Sequence, residues 1–187
     1  ARACAASGAT TCAGGTVGQA ALALAKLCFD TLMAEGLKAK SALSAHACTP
    51  AVEKVIEANT LLSGIGFESG GLAGAHAIHN GLTVLEECHH MYHGEKVAFG
   101  TLTQLMLEDI PKEELDEIAV WCIELGLPVT LRELGVQEIT PEKIMAVAEA
   151  ACAPGDTMGN MPMPVDAKKV YHAILAADAY GRSLLGA

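Results

Sequence analysis

Histidines are concentrated in one short part of this sequence. Five of the seven lie between positions 76 and 93, where His76 and His79 are three residues apart in a predicted helix. That spacing places two side chains on roughly the same helix face. The other three, His89, His90 and His93, follow in one short predicted loop. Because neutral imidazole is an ordinary zinc ligand, this crowding suggests a metal site.

The same histidines also fit a structural role. His89 and His90 are typical of solvated loop residues, and His79 is equally compatible with a hydrogen bond inside the core. Spacing alone leaves both interpretations open. A catalytic zinc usually has three protein ligands and one open position, so two histidines do not complete a site. The residue pattern identifies no third ligand and no catalytic residue beyond the ligands themselves.

Three weaker features each have two interpretations. Phe67 lies within a glycine-rich stretch, where it fits either the wall of a substrate cleft or a core aromatic at a bend. Cys88 fits either a metal ligand or a buried thiol. Met158, Met161 and Met163 fit either a soft contact surface or a packed surface loop.

The sequence carries no nucleotide-binding motif. No Gly-x-Gly-x-x-Gly run follows a predicted strand, and neither a phosphate-binding loop nor a nucleophile elbow is present. The main binding domain for any nucleotide cofactor is therefore expected elsewhere, and cofactor-binding residues in this chain stay unassigned.

Helical periodicity and helix-boundary signals predict an all-α fold. Gly36 is expected to end the first long helix, and residues 1–15 are expected to form a loop or entry segment. Residues 63–71 contain four glycines, which permit a bend and a close backbone approach before the helix that carries His76 and His79. Further helices are predicted at about 17–35, 37–47, 50–62, 95–108, 111–126, 140–151 and 165–185, with Thr49-Pro50 and Thr140-Pro141 as start signals.

The composition favours one helical domain. Of 187 residues, 51% are hydrophobic but only 4% are aromatic, a balance that favours closely packed helices. Because no linker-like segment interrupts the chain, residues 1–187 are expected to form a single domain. The formal net charge of −10 repels phosphate backbones and anionic lipid surfaces, so neither nucleic acid nor a membrane is expected as a partner.

Cysteine usage indicates a cytoplasmic protein. The seven cysteines are odd in number and form no Cys-x-x-Cys pair, so reduced thiols are expected. No apolar run approaches the roughly 18 residues of a membrane-spanning helix, and no signal peptide is recognised. The first residue is Ala1 rather than an initiator Met, so a processed or truncated chain is expected.

Two runs of sequence carry a resemblance to a known family. Residues 66–81 read GFESGGLAGAHAIHNG and residues 92–100 read YHGEKVAFG. Both closely resemble bacterial glycerol dehydrogenases of the iron-containing alcohol dehydrogenase superfamily. The resemblance spans the chain, because it also includes residues 1–4, Thr49-Pro50, residues 126–131 and residues 176–178.

The resemblance implies a fold and a set of site residues. In that family an N-terminal, Rossmann-like NAD-binding domain precedes an all-helical domain that contributes metal ligands, and this chain resembles the second domain only. One Asp and two His hold the family's zinc, and the histidines match His76 and His93. The Asp belongs to a Gly-Asp-Ala motif shortly before the position matching Ala1, so it lies outside this chain. Phe67 matches a wall of the glycerol pocket, and His79 becomes a neighbour that touches substrate or metal-bound water.

The resemblance also implies an activity. The family oxidises glycerol to dihydroxyacetone with NAD, with one zinc per subunit polarising the substrate hydroxyl, and its members are homo-oligomers. By itself this chain is expected to be inactive without the N-terminal NAD-binding half. One alternative is a stand-alone, non-catalytic helical module for metal binding or oligomerisation. Another is a fragment that stays noncovalently associated with the missing half.

Overall fold

The computed structural model describes residues 1–186, and over that range it is helical without a β-strand. Its only extended pairing within the described residues is an isolated antiparallel bridge between Thr10 and Thr16. The predicted all-α fold class is therefore confirmed. The chain divides into two compact units, Ala1–Leu72 and a second unit that begins at Ala73. Within residues 1–186, no helix has the length and apolar character needed to cross a membrane.

The first unit is built around one long helix. Helix α2 continues through Gly36, where the sequence predicts a helix end, so that prediction is wrong. Gly36 is buried, and Ala39 of α2 packs in a buried cluster with Ala51 and Val52. Such packing outweighs the roughly 1 kcal/mol that a helical glycine costs relative to alanine. The elements are α1 (Arg2–Ser7), α2 (Gln19–Ser44), α3 (Pro50–Glu57), one π-helical turn (Ala58–Leu62) and α4 (Ser63–Gly70).

The glycine-rich segment is helical as far as Gly70, so the bend that its glycines permit is confined to the end of residues 63–71. The backbone departs from the helix only at Gly71, where φ is 76°. A Cβ atom at Gly66 would lie 3.1 Å from Cα of Ala25, so the missing side chain lets α4 pack closely on α2. The expected loop at residues 1–15 is likewise interrupted by helix α1.

The second unit contains the helices that carry the histidines. The start signal Thr140-Pro141 behaves as the sequence predicts. The Thr140 hydroxyl accepts a hydrogen bond from the Lys143 N–H at 3.3 Å, and Pro141 is the first residue of the helix. Its largest fully buried side chains include Phe99, Ile78 and Leu82. The helices are α5 (Gly74–Leu82), α6 (His93–Leu107), α7 (Lys112–Leu125), α8 (Pro141–Ala151) and α9 (Ala167–Leu185), with 3₁₀ turns at Glu86–Cys88 and Thr157–Asn160.

Helix α5 packs closely against both α6 and α8. A Cβ atom at Gly81 would lie 2.4 Å from the carbonyl oxygen of Val147 in α8. A Cβ atom at Gly100 of α6 would lie equally close, 2.4 Å, to the carbonyl oxygen of Ala75. Real Cβ atoms do not approach backbone oxygens this closely, so glycine is required at both contacts. The close approach of α5 and α6 positions the histidines.

Candidate metal centre

Helices α5 and α6 bring three of the singled-out histidines together. His76 and His79 lie one turn apart on α5, and His93 is the first residue of α6. The ring centroids of His76 and His93 are 5.3 Å apart, and those of His79 and His93 are 4.3 Å apart. Nδ1 of His93 lies 3.1 Å from Nε2 of His79, at hydrogen-bond distance. We call His76, His79 and His93 the histidine cluster.

The start of α5 is held from two sides. The Ala75 N–H donates a hydrogen bond to Oε1 of Gln104 at 2.8 Å, which satisfies a backbone donor at the helix N-terminus. Nε2 of Gln104 in turn donates to Glu108 at 2.6 Å, which orients the amide. The Thr157 hydroxyl donates to the carbonyl oxygen of Ala73 at 2.9 Å. These contacts fix the turn that carries His76.

The start of α6 is held by its own first turn. The Glu95 carboxylate accepts a hydrogen bond from the Tyr92 N–H at 2.6 Å. Lys96 is buried, and its ammonium donates to the carbonyl oxygens of Cys88 at 3.3 Å and Met91 at 3.0 Å. The loop before His93 is thereby tied to the helix after it.

A chain of polar groups continues outward from His79. Its Nδ1 lies 3.0 Å from Oδ1 of Asn80. Nδ2 of Asn80 donates to both carboxylate oxygens of Asp156, at 3.0 and 3.3 Å. Asp156 also accepts a hydrogen bond from the Thr157 N–H at 2.6 Å, which anchors the carboxylate at the start of a 3₁₀ turn.

The electrostatic surroundings favour uncharged imidazoles in α5. Burial lowers the pKa of His76 to about 4, and the nearby rings of His93 and His79 act in the same direction. Burial also lowers the pKa of His79, although its hydrogen bond to Asn80 opposes that shift. Both rings are therefore neutral at pH 7, and the neutral ring is the form whose nitrogen lone pair binds zinc.

The imidazoles of the histidine cluster are suitable ligands for zinc, but they are too few to complete a site. Within residues 1–186, no group of three His, Cys, Asp or Glu side chains is arranged to hold a metal ion. Within the histidine cluster, Nδ1 of His93 and Nε2 of His79 face each other at 3.1 Å and engage one another. His76 and His93 remain as two imidazole donors, so a complete site needs a ligand from outside this set.

The remaining loop side chains lie outside the histidine cluster. Nε2 of His89 donates a hydrogen bond to the carbonyl oxygen of Thr83 at 2.8 Å. The ring of His90 packs beside Gly135. Cys88 is fully buried, and burial raises the pKa of its thiol to about 11, which favours the buried-thiol interpretation over a thiolate ligand.

The structure also distinguishes between the two interpretations of the methionine-rich segment and of Phe67. Met158 and Met161 are buried, which favours the packed-loop interpretation of the methionine-rich segment. Phe67 belongs to α4 of the first unit and is 48% exposed, so it is not a core aromatic.

Sequence reasoning missed four polar residues that hold the histidines: Gln104, Lys96, Asn80 and Asp156. Asn80 carries a local signal, because it directly follows His79. Asp156 lies 76 positions from Asn80 and has no local signal. Lys96 is invisible to composition rules, because a lysine is expected at the surface.

Known proteins match this chain over nearly all of its length. No protein-family profile matches it. A glycerol dehydrogenase from Escherichia coli O6:H1 is 60% identical over 185 residues, which cover 99% of this chain and 50% of that protein. A glycerol dehydrogenase from Citrobacter freundii is 58% identical over 185 residues, covering 99% of this chain and 51% of that protein. The chain belongs to the glycerol dehydrogenase family.

The glycerol dehydrogenase relationship extends to the fold. A crystal structure of a probable glycerol dehydrogenase from Sinorhizobium meliloti matches with a TM-score of 0.94 at 48% identity, covering 97% of this chain and 51% of that one. The chain spans about half the length of the curated relatives it matches, and it corresponds to the C-terminal half of glycerol dehydrogenases. The family resemblance inferred from the sequence is thereby confirmed.

Proposed function

We propose that this chain forms the metal-binding, helical half of an NAD-dependent glycerol dehydrogenase that oxidises glycerol to dihydroxyacetone. The observation that carries the proposal is the pairing of His76 with His93, at a ring-centroid distance of 5.3 Å, in a chain 60% identical to a glycerol dehydrogenase. We assign these two residues as protein ligands of one zinc ion per subunit. Their imidazole donors suit that metal.

Oxidation of a secondary hydroxyl removes one proton from oxygen and one hydride from carbon. When bound, zinc supplies Lewis-acid polarisation of the hydroxyl and NAD supplies the hydride acceptor. The chain's own residues hold and orient the reactants. His76 and His93 hold the cation. His79, whose two ring nitrogens engage Asn80 and His93, borders the substrate beside them. Phe67, which is 48% exposed, is assigned to substrate binding on the family resemblance.

Surface composition supports protein partners for the first unit. Large apolar side chains at least half exposed there are Leu27, Phe29, Leu43, Ile56 and Leu61. The proposal of partners also rests on length, because the chain covers only 50% of a glycerol dehydrogenase. We assign two partners, an N-terminal NAD-binding half and further copies of the same polypeptide. The net charge of −10 opposes nucleic acid, and seven free thiols suit the cytoplasm.

Zinc affinity is the measurement that tests this assignment. The protein, supplied with its NAD-binding half, is titrated with zinc against a chelator as wild type, His76→Ala and His93→Ala. Loss of a direct ligand is expected to exceed the roughly 10- to 100-fold loss typical of an outer partner. His89→Ala is the matched control, because His89 lies in the loop before His93 but hydrogen-bonds to Thr83.

NADH formation with glycerol is measured on the same variants. Activity is expected to fall with zinc affinity in His76→Ala and His93→Ala and to persist in His89→Ala. Full zinc content and activity in His93→Ala would refute the ligand assignment. Zinc binding without any glycerol-dependent NAD reduction would favour the non-catalytic helical module instead.

A further inference from the structure

The polar chain beyond the histidine cluster has only one consistent direction of donors and acceptors. An ionised Asp156 carboxylate only accepts hydrogen bonds, so Asn80 must present its Nδ2 amine to it, at 3.0 and 3.3 Å. The carbonyl oxygen of Asn80 then faces Nδ1 of His79 at 3.0 Å. Because that oxygen also only accepts, Nδ1 of His79 must carry a proton.

The position of the proton on His79 determines its position on His93. A neutral imidazole protonated at Nδ1 has a bare lone pair at Nε2. Nε2 of His79 lies 3.1 Å from Nδ1 of His93, so Nδ1 of His93 must be the donor of that hydrogen bond. His93, when neutral, is then left with its lone pair at Nε2, the nitrogen available to a metal ion.

We infer that Asp156 and Asn80 are positioning residues that fix the tautomers of His79 and His93 and thereby select Nε2 of His93 as the metal-binding nitrogen. We call Asp156, Asn80, His79 and His93 the tautomer relay. The inference rests on the proposed function where it concerns metal binding. The assignment of protons within the relay does not depend on a metal.

The far end of the relay is well anchored. Asp156 accepts the Thr157 N–H at 2.6 Å, and the Thr157 hydroxyl donates to the Ala73 carbonyl oxygen immediately before α5. The carboxylate is therefore fixed to the same helix start that carries His76 and His79. A partner behind a ligating histidine holds the ring in one tautomer and one orientation, and its loss typically lowers metal affinity about 10- to 100-fold.

The first experiment reads the tautomers directly. Long-range proton–nitrogen NMR of the metal-free protein with its NAD-binding half and ¹⁵N-labelled histidine, at pH 8, distinguishes a ring protonated at Nδ1 from one protonated at Nε2. In the wild type, both His79 and His93 are expected to be protonated at Nδ1. In Asn80→Leu, His79 is expected to shift toward the Nε2-protonated form, which free imidazole side chains favour. Wild-type His79 protonated at Nε2, or tautomers unchanged in Asn80→Leu, would overturn the relay.

The second experiment measures zinc affinity by chelator competition in the protein with its NAD-binding half. Asn80→Leu is expected to bind zinc about 10- to 100-fold more weakly. Asn59→Leu is the control, because Asn59 is exposed and lies on the π-helical turn of the first unit. Unchanged affinity in Asn80→Leu would overturn the role of the relay in metal binding.

A reversed pair separates positioning from general support of the fold. In Asn80→Asp/Asp156→Asn, the new carboxylate still accepts from Nδ1 of His79, and the new amide supplies the donor between the two side chains. This variant is expected to regain most of the affinity and the wild-type tautomers. Asn80→Asp alone also offers Nδ1 of His79 an acceptor, but it places two carboxylates together, so its contact with Asp156 is expected to be lost while the His79 tautomer persists. Failure of the reversed pair to recover either readout would count against the relay.

The two proposals fail in different ways. If zinc binding depends on His76 and His93 but not on Asn80, the relay fails and the proposed function stands. If zinc affinity is unchanged in His76→Ala and His93→Ala, the proposed function fails. The NMR experiment still decides the proton positions in the relay.

Discussion

Gly100 of α6 lies against the backbone of Ala75 in α5, with 2.4 Å between a Cβ atom built on Gly100 and the Ala75 carbonyl oxygen. Ala75 directly precedes His76, and Gly100 lies about two helical turns after His93. The contact therefore sets the separation of the two helices that carry the proposed ligands.

Gly100→Ala is expected to force α6 away from α5. Overpacking of this kind costs about 1–3 kcal/mol of unfolding free energy, and the displacement should also weaken zinc binding. Urea denaturation and chelator competition measure the two effects. Gly64→Ala is the matched helical control: a Cβ there meets nothing within 4 Å, so a gain of up to about 1 kcal/mol is expected. Equal effects of the two substitutions would contradict the role of the Gly100 contact.

Lys96→Met is expected to loosen the loop before His93. Methionine keeps the apolar stem of the buried side chain but removes both hydrogen bonds to Cys88 and Met91. The Cys88 carbonyl oxygen keeps the Met91 N–H as a donor, whereas that of Met91 loses the ammonium. The loss is expected to cost about 1–3 kcal/mol, and amide hydrogen exchange at residues 88–92 should accelerate. Lys26→Met, at a side chain 73% exposed, should change stability by less than about 1 kcal/mol. Unchanged amide hydrogen exchange in Lys96→Met would argue against this role of the Lys96 hydrogen bonds.

Asp178→Ala is expected to destabilise the second unit. The side chain is 1% exposed and accepts hydrogen bonds at 2.9 Å from both the Leu131 N–H and Nε of Arg182. Its removal leaves the buried Leu131 N–H unpaired, at a cost of about 1–3 kcal/mol in unfolding free energy. Asp30→Ala breaks an exposed ion pair and should cost less than about 1 kcal/mol. Similar denaturation midpoints for the two variants would refute the structural role of Asp178.

Thiol reactivity should separate the cysteines by burial. Burial raises the pKa values of Cys88 and Cys122 to about 11. Below that value the thiol holds its proton, so at pH 8 only about one molecule in a thousand carries the reactive thiolate. Iodoacetamide at pH 8, followed by peptide mass spectrometry, should label the exposed Cys12 and Cys48 and leave Cys88 and Cys122 unmodified. Rapid native-state labelling of Cys88 would contradict its burial.

Local signals in the sequence were sufficient where a few adjacent residues decide the outcome. Thr140-Pro141 predicts the start of α8 because capping involves only the first turn. The three-residue spacing of His76 and His79 places both on α5 for the same reason. The helix end predicted at Gly36 is wrong, because whether a glycine ends a helix depends on what packs against it.

By itself, the sequence determined the helical class and the family, and it singled out the histidines that are proposed to bind a metal. Only the tertiary structure decided that His93 joins His79, because the approach of α6 to α5 depends on the contact of Gly100 with a backbone oxygen 25 positions earlier. It likewise brought Asp156 to Asn80 across 76 positions. Hydrogen bonds between distant segments leave no periodic pattern in a sequence, since their geometry arises only when the helices pack.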